Sequence, residues 1–235
     1  MRIEMSDRVS TPSLEAMLWD MDGTLVDTEP MWVTCEEELM HEFGYRWSEQ
    51  DALHCIGGPM ERVQVYLKEK SGSDRDPGWF GDRLIEMMLA KLEAGAILRP
   101  GALELVDAAR ESGVRLALVS ASRRSIVDAV LRGLPFEFDI SISASEVVRS
   151  KPHPEGYLRA ANDLASSIQS CVVIEDSSVG ITSGLESGAM VIGVTHQSFE
   201  HINFFGVPDL SKMSWPELNS LHKSWILKRV ESERR

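Results

Sequence analysis

Four short, mostly apolar runs, "VRLALVS" (Val114 to Ser120), "FDISIS" (Phe138 to Ser143), "CVVIEDS" (Cys171 to Ser177) and "MVIGV" (Met190 to Val194), are separated by stretches of helical periodicity. Strands apolar on both faces, alternating with helices, predict a parallel sheet covered on each side. An earlier run, "AMLWD" (Ala16 to Asp20), predicts one more such strand, and "GALELVDAARESG" with Gly113 as its stop predicts the helix leading into "VRLALVS". A helix is expected from about Arg123 with Ser122 as its N-cap. Each crossover should be right-handed.

Between the first strand and Gly101 no convincing strand is found. Residues 31–99 read as helices: "WVTCEEELMHEF" ended by Gly44, "MERVQVYLKEKSG" ended by Gly72 and "WFGDRLIEMMLAKLEAG" ended by Gly95. A helical insert at this point predicts a cap over the strand ends, giving a core of residues 1–30 and 100–235 and a cap of residues 31–99. The run Glu36, Glu37, Glu38 is expected on a solvated helix face. Met1 to Ser13 reads as a frayed start. "SWPELNSLHKSWILKRVESERR" reads as a short helix followed by an amphipathic, finally basic tail that docks on the core.

With 235 residues the chain has room for a full core and an insert. A net charge of -13 speaks against nucleic acid and anionic lipid as partners, since both need a basic face. A small metabolite or a cation is expected instead. An anionic metabolite would need a local metal or Lys to reverse the sign of the field. Cys35, Cys55 and Cys171 show no CxxC spacing and are expected to be buried thiols; the histidines show no zinc spacing. No run approaches the ~18 apolar residues of a membrane span, and no leader-like segment opens the chain, so a cytoplasmic protein is expected. Oligomeric state is not read from the sequence.

The chemistry gathers at the carboxyl ends of the strands, where open α/β sheets place ligands. The first ends at Asp20 and Asp22, which share a strand face if the period of two continues. Two such carboxylates should perturb each other's ionisation; an Asx-rich turn is the plainer alternative. The second strand ends at Ser120, the fourth at Glu175 and Asp176, and Lys151 precedes two prolines in "SKPHPEGY".

"DMDGTLVDTE", "LALVSAS", "SKPHPEGY" and "VVIEDSSVGI" resemble the four motifs of the haloacid dehalogenase superfamily, in the branch with a helical cap after the first motif. The resemblance implies a Rossmann-like parallel sheet, dependence on Mg²⁺ and transfer or hydrolysis of a phosphoryl group. By position it makes Asp20 the nucleophile and Asp22 the general acid and base. It assigns Ser120 and Lys151 to the phosphate and the carboxylates Asp20, Asp22, Glu175 and Asp176 to the metal, with Gly23, Thr24 and Ala121 beside the phosphate. The roles are physically coherent, because an aspartyl-phosphate divides a very slow hydrolysis into two easier steps.

Asp22, Glu175 and Asp176 favour phosphoryl chemistry over dehalogenation. Mutases of the β-phosphoglucomutase type are similar, but carry a His where Trp32 aligns and a cap Arg where Met60 aligns. The reading is therefore a phosphatase of a small phosphorylated metabolite, with a phosphomutase and a non-catalytic phospho-ligand-binding relative as alternatives. The turn "CIGGPMER", through Gly57, Gly58 and Arg62, together with Trp32, is expected to contact the leaving group; a plain connecting turn is the competing reading. A receiver domain would be far shorter and lack the insert.

Overall fold

A computed structural model describes residues 13–56 and 59–233. The expectations for Met1 to Pro12 and for Gly57 and Gly58 lie outside the described residues. In chain order the elements are β1 (Ala16–Trp19), α1 (Glu29–Glu42), α2 (Glu49–Cys55), α3 (Met60–Ser71), α4 (Pro77–Leu92) and α5 (Ala102–Glu111). They continue as β2 (Arg115–Val119), α6 (Arg124–Gly133), β3 (Ile140–Ile142), α7 (Glu155–Asp163), β4 (Cys171–Glu175), α8 (Ser178–Ser187), β5 (Met190–Val194), β6 (Phe204–Val207) and α9 (Trp215–Glu233).

All strand pairs are parallel, in the order β3-β2-β1-β4-β5-β6. Successive side chains alternate between the faces. Met17, Trp19, Leu116, Leu118, Val172 and Ile174 pack into one apolar cluster with α5, α6 and α9. Ala16, Leu18, Ala117, Val119 and Val173 pack into a second with α7 and α8. That two-sided burial is why the strands carry so few polar residues. The chain leaves β1 toward β2 on one side and crosses to β4 on the other, so the crevice where the order reverses opens between the ends of β1 and β4. Register aligns those ends. Trp19 pairs with both Leu118 and Ile174, so one residue further on Asp20 stands level with Val119 and Glu175.

α1 to α4 form the insert between β1 and α5, and Asp82 of α4 bonds Arg123 at the start of α6 at 2.8 Å. Its polar centre is Asp51, whose carboxylate accepts bonds from Ser48, Tyr45 and Tyr66 and pairs with Lys70 at 3.2 Å. Those hydrogen bonds overcome its desolvation and hold it well below the usual carboxylate range.

Several expectations are corrected. α1 starts at Glu29, because Pro30 fits the first turn, where no N–H is needed. α2 and β6 had no sequence reading: α2 has only seven residues, and β6 is a partly exposed edge strand. The C-terminal segment is one helix through Glu233, docked by Leu218, Trp225 and Ile226. Ser122 is not an N-cap; Arg123 takes that position without a side-chain bond. The three cysteines are free and buried, as expected. No described helix is long and apolar enough to cross a membrane.

The acidic run is only partly solvated: Glu37 and Glu38 are exposed, but Glu36 faces inward and is 5% exposed. Burial, and then the like charge of Glu29, push its carboxyl up to about 8. The folded state therefore holds a proton that the unfolded chain releases near pH 4.5. Its contribution to stability is complete below pH 4.5 and declines as pH rises toward 8, by at most ~1.4 kcal/mol per pH unit. Glu36→Gln should remove the decline. Thermal melts are expected to show the variant gaining on wild type between pH 5 and pH 8; a constant difference would contradict the assignment.

Candidate active site

Lys151 organises the crevice. Its ammonium has three donors, and each meets a different neighbour: Asp20 Oδ1 at 2.5 Å, Glu175 Oε1 at 2.7 Å and the Val119 carbonyl at 2.9 Å. These are the three residues that strand register sets side by side. The Tyr157 ring lies 5.0 Å from the ammonium, and its hydroxyl donates to Glu175 Oε1 at 2.9 Å. Glu175 Oε2 accepts from the backbone N–H groups of Asp176 and Ser177 and from the Ser177 hydroxyl. A fully buried carboxylate is thus satisfied by five donors.

Asp20, Glu175 and Asp176 form a group whose ligand oxygens lie within 4.8 Å of one another. Burial, then the Glu175 charge, raise Asp20 well above the ordinary range, with Lys151 pulling the other way. Burial and Glu175 raise Asp176 to about 6. The same carboxylates hold Lys151 above its usual value despite its burial. The charges explain the direction. Three carboxylates face one ammonium, a deficit of two positive charges, which a divalent cation would neutralise. The donors are all carboxylate oxygens, the type hard cations such as Mg²⁺ take. Asp176 is steadied by the Thr24 hydroxyl at 3.0 Å. Gly23 has φ +82°, and a Cβ there would stand 2.3 Å from Asp176 Oδ2, so the turn requires glycine.

Asp22 stands outside that carboxylate group. Its Oδ1 accepts from the Thr28 hydroxyl at 2.7 Å, and its Oδ2 from Ser122 at 2.7 Å and Ser120 at 3.4 Å. The sequence paired Asp20 with Asp22; the structure pairs Asp20 with Lys151, Glu175 and Asp176, because the chain turns immediately after β1 and the strand period stops there. The Ser120 hydroxyl also accepts from the Ser122 N–H at 2.9 Å. Ala121 between them is exposed.

The cap residues are less converged. Trp32 is half-buried on α1 and packs on the apolar cluster. Arg62 is exposed and donates to the His54 carbonyl at 2.8 Å, closing the end of α2 onto α3. Sequence reasoning missed Ser122, Thr28 and Tyr157. All three lie inside or at the end of quoted motifs, but only the folded chain shows their hydroxyls on Asp22 and Glu175.

The haloacid dehalogenase-like hydrolase family model matches residues 17–194. The chain belongs to that family. It is 31% identical to the protein CbbY of Rhodobacter capsulatus, over 84% of this chain and 94% of that protein. It is 30% identical to hexitol phosphatase B of Escherichia coli K12, over 90% and 98%. The crystal structure of CbbY from Rhodobacter sphaeroides in complex with phosphate superposes with a TM-score of 0.75 at 25% identity, covering 87% of this chain and 99% of that one. The α/β fold with its helical insert is thus that of the family, as the motifs implied.

Proposed function

We propose that the protein is a Mg²⁺-dependent phosphatase that hydrolyses a small phosphorylated metabolite, a sugar phosphate or similar monoester, through an aspartyl-phosphate on Asp20. The observation that carries this reading is the cluster of Asp20, Glu175 and Asp176 at the crevice between β1 and β4, the first two buried and both paired with the ammonium of Lys151. Hexitol phosphatase B and CbbY, the latter with phosphate bound in its crystal structure, support the phosphoryl class. Asp20 and Asp176 would hold the metal with Glu175 beside them. When bound, Mg²⁺ supplies charge neutralisation that lets a phosphate approach three carboxylates.

The Asp20 carboxylate attacks phosphorus as the ester P–O bond breaks, and the leaving alkoxide takes a proton from Asp22. Water then attacks the acyl phosphate, giving a proton back to Asp22 and freeing Asp20 and inorganic phosphate. Asp22 must alternate between two protonation states. Ser and Thr hydroxyls can donate or accept, so Thr28 and Ser122 can orient it in either. Lys151 fixes the attacking carboxylate and offers its charge to the transferring group. The Ser120 hydroxyl lies beside them as a donor to that group. Trp32 and Met60 at the positions of the mutase His and Arg favour hydrolysis over phosphomutase chemistry.

Phosphate release from a panel of phosphorylated sugars, sugar alcohols, glycolate and nucleosides tests the reading. Turnover with Mg²⁺ and its loss in EDTA are expected. Full turnover in EDTA would exclude the metal, and isomerisation without release would replace the phosphatase by a mutase.

A further inference from the structure

Tyr157 touches both members of the Lys151–Glu175 pair yet performs none of the proton or phosphoryl transfers. It is fully buried near the start of α7. Gly156 just before it lets that helix approach β2 closely, since a Cβ there would stand 2.9 Å from Cγ1 of Val119, the residue whose carbonyl accepts from Lys151. The approach sets the Tyr157 ring 5.0 Å from the ammonium, in range of a cation–π contact, and its hydroxyl 2.9 Å from Glu175 Oε1. The ring itself belongs to the apolar cluster of Val119, Ala160 and Val173.

The Tyr157 hydroxyl and Lys151 therefore share one oxygen. Lys151 stands between two carboxylates, 2.5 Å from Asp20 Oδ1 and 2.7 Å from Glu175 Oε1, and the balance between them decides how much of its charge the nucleophile keeps. Glu175 Oε2 is satisfied at the start of α8, but Oε1 has only Lys151 and Tyr157 as donors among the described residues. Glu175 has no exposed surface, so bulk water cannot replace either donor. A buried charged oxygen left with one donor draws that donor in. Without the hydroxyl, Lys151 would be pulled toward Glu175 and away from Asp20. The pull matters most once Asp20 has spent its charge on the bond to phosphorus, because Lys151 is then bonded to Glu175 as its one remaining anionic partner in the protein while it must also hold the phosphoryl group.

We propose that Tyr157 is a positioning residue for phosphoryl transfer: its hydroxyl meets part of the demand of Glu175 Oε1 and its ring lies against the ammonium, so that Lys151 stays directed at Asp20 and at the phosphate. This rests on the phosphatase reading above. The competing account is a core tyrosine whose hydroxyl rests on the nearest acceptor. It gives the ring a packing role and the hydroxyl no effect on turnover.

Tyr157→Phe separates the two, since it keeps the ring in the apolar cluster and removes only the hydroxyl. Phosphate release from p-nitrophenyl phosphate and from a hexitol phosphate is followed in wild type and variant over a range of Mg²⁺, with a melting curve for each protein to check that it is folded at the assay temperature. kcat should fall about tenfold, the effect of one lost hydrogen bond to a charged group. The factor should be the same for both esters, because the hydroxyl bonds Glu175 and not the leaving group. KM and half-saturating Mg²⁺ should stay within about twofold of wild type. In a Glu175→Gln background, where the competing charge is gone, Tyr157→Phe should cost nothing further, as residues that act through one another are not additive. Unchanged kcat in Tyr157→Phe would overturn the proposal while leaving the phosphatase standing. So would a loss that is confined to one ester, that more Mg²⁺ restores, or that multiplies with the loss in Glu175→Gln. If Glu175→Gln neither folds nor turns over, the single variant still decides. No release by wild type from these esters or the wider panel would overturn the phosphatase reading as well.

Discussion

Asp20→Asn is expected to lower phosphate release by about 10⁴-fold or more, the scale seen when an acting nucleophile is removed. The amide has the shape of the carboxylate but is a poor nucleophile, so the acyl phosphate does not form. The surroundings should survive the change. Lys151 keeps Glu175 and the Val119 carbonyl as partners, and the Asp20 N–H keeps its bond to the Ile174 carbonyl at 3.0 Å. One of three crowded negative charges disappears, which relieves Glu175 and Asp176. The variant should therefore melt close to wild type while losing turnover. A single-turnover experiment with chemical quench should find phosphoprotein in wild type and none in Asp20→Asn. Equal rates in the two proteins would remove Asp20 from the chemistry.

How much of this was legible in the chain differs from residue to residue. β1, β2, β4 and β5 could be read because a strand buried on both faces needs apolar residues at every position, and such runs are hard to mistake. β6 could not, because an edge strand with Phe204, Phe205 and Gly206 partly exposed carries neither continuous nor alternating burial. That Asp20, Ser120, Glu175 and Asp176 would meet at one edge was readable, since each lies at or next to the end of β1, β2 or β4, and Lys151 follows in the loop after β3. How they bond was not. Lys151 reaches back to Asp20 across 131 positions and Ser122 reaches Asp22 across 100, and such contacts exist only after the strands are ordered. Glu36 shows a third kind of failure. Three consecutive glutamates look like one solvated face, yet Glu36 lies three and four residues before Leu39 and Met40, both fully buried. Helical spacing put it on the inward stripe, and charge alone argued the other way.

Gly180→Ala should be the most damaging single methyl group in the protein. In an ordinary helix this substitution stabilises, by up to ~1 kcal/mol, because glycine has more freedom to lose. Here the sign reverses. A Cβ on Gly180 would stand 1.7 Å from Glu175 Oε1 and 1.9 Å from its carboxyl carbon. Glu175 has no exposed surface into which to swing and is tied to Lys151, Tyr157 and the backbone of Asp176 and Ser177. Either the carboxylate leaves those partners or α8 moves off β4, and both separate a buried ammonium from its counter-charge. Breaking such a pair costs about 3–5 kcal/mol, so a substantial drop in melting temperature is expected together with a fall in kcat of about 10²-fold or more, as Lys151 no longer holds Asp20 in line. Val179→Ala, one residue earlier at an exposed position, should change stability by no more than ~0.5 kcal/mol and turnover hardly at all. If Gly180→Ala melted and turned over like Val179→Ala, Glu175 would be far freer to move than its five hydrogen bonds imply, and the arrangement of Lys151 against Asp20 would have to be maintained by something other than Glu175.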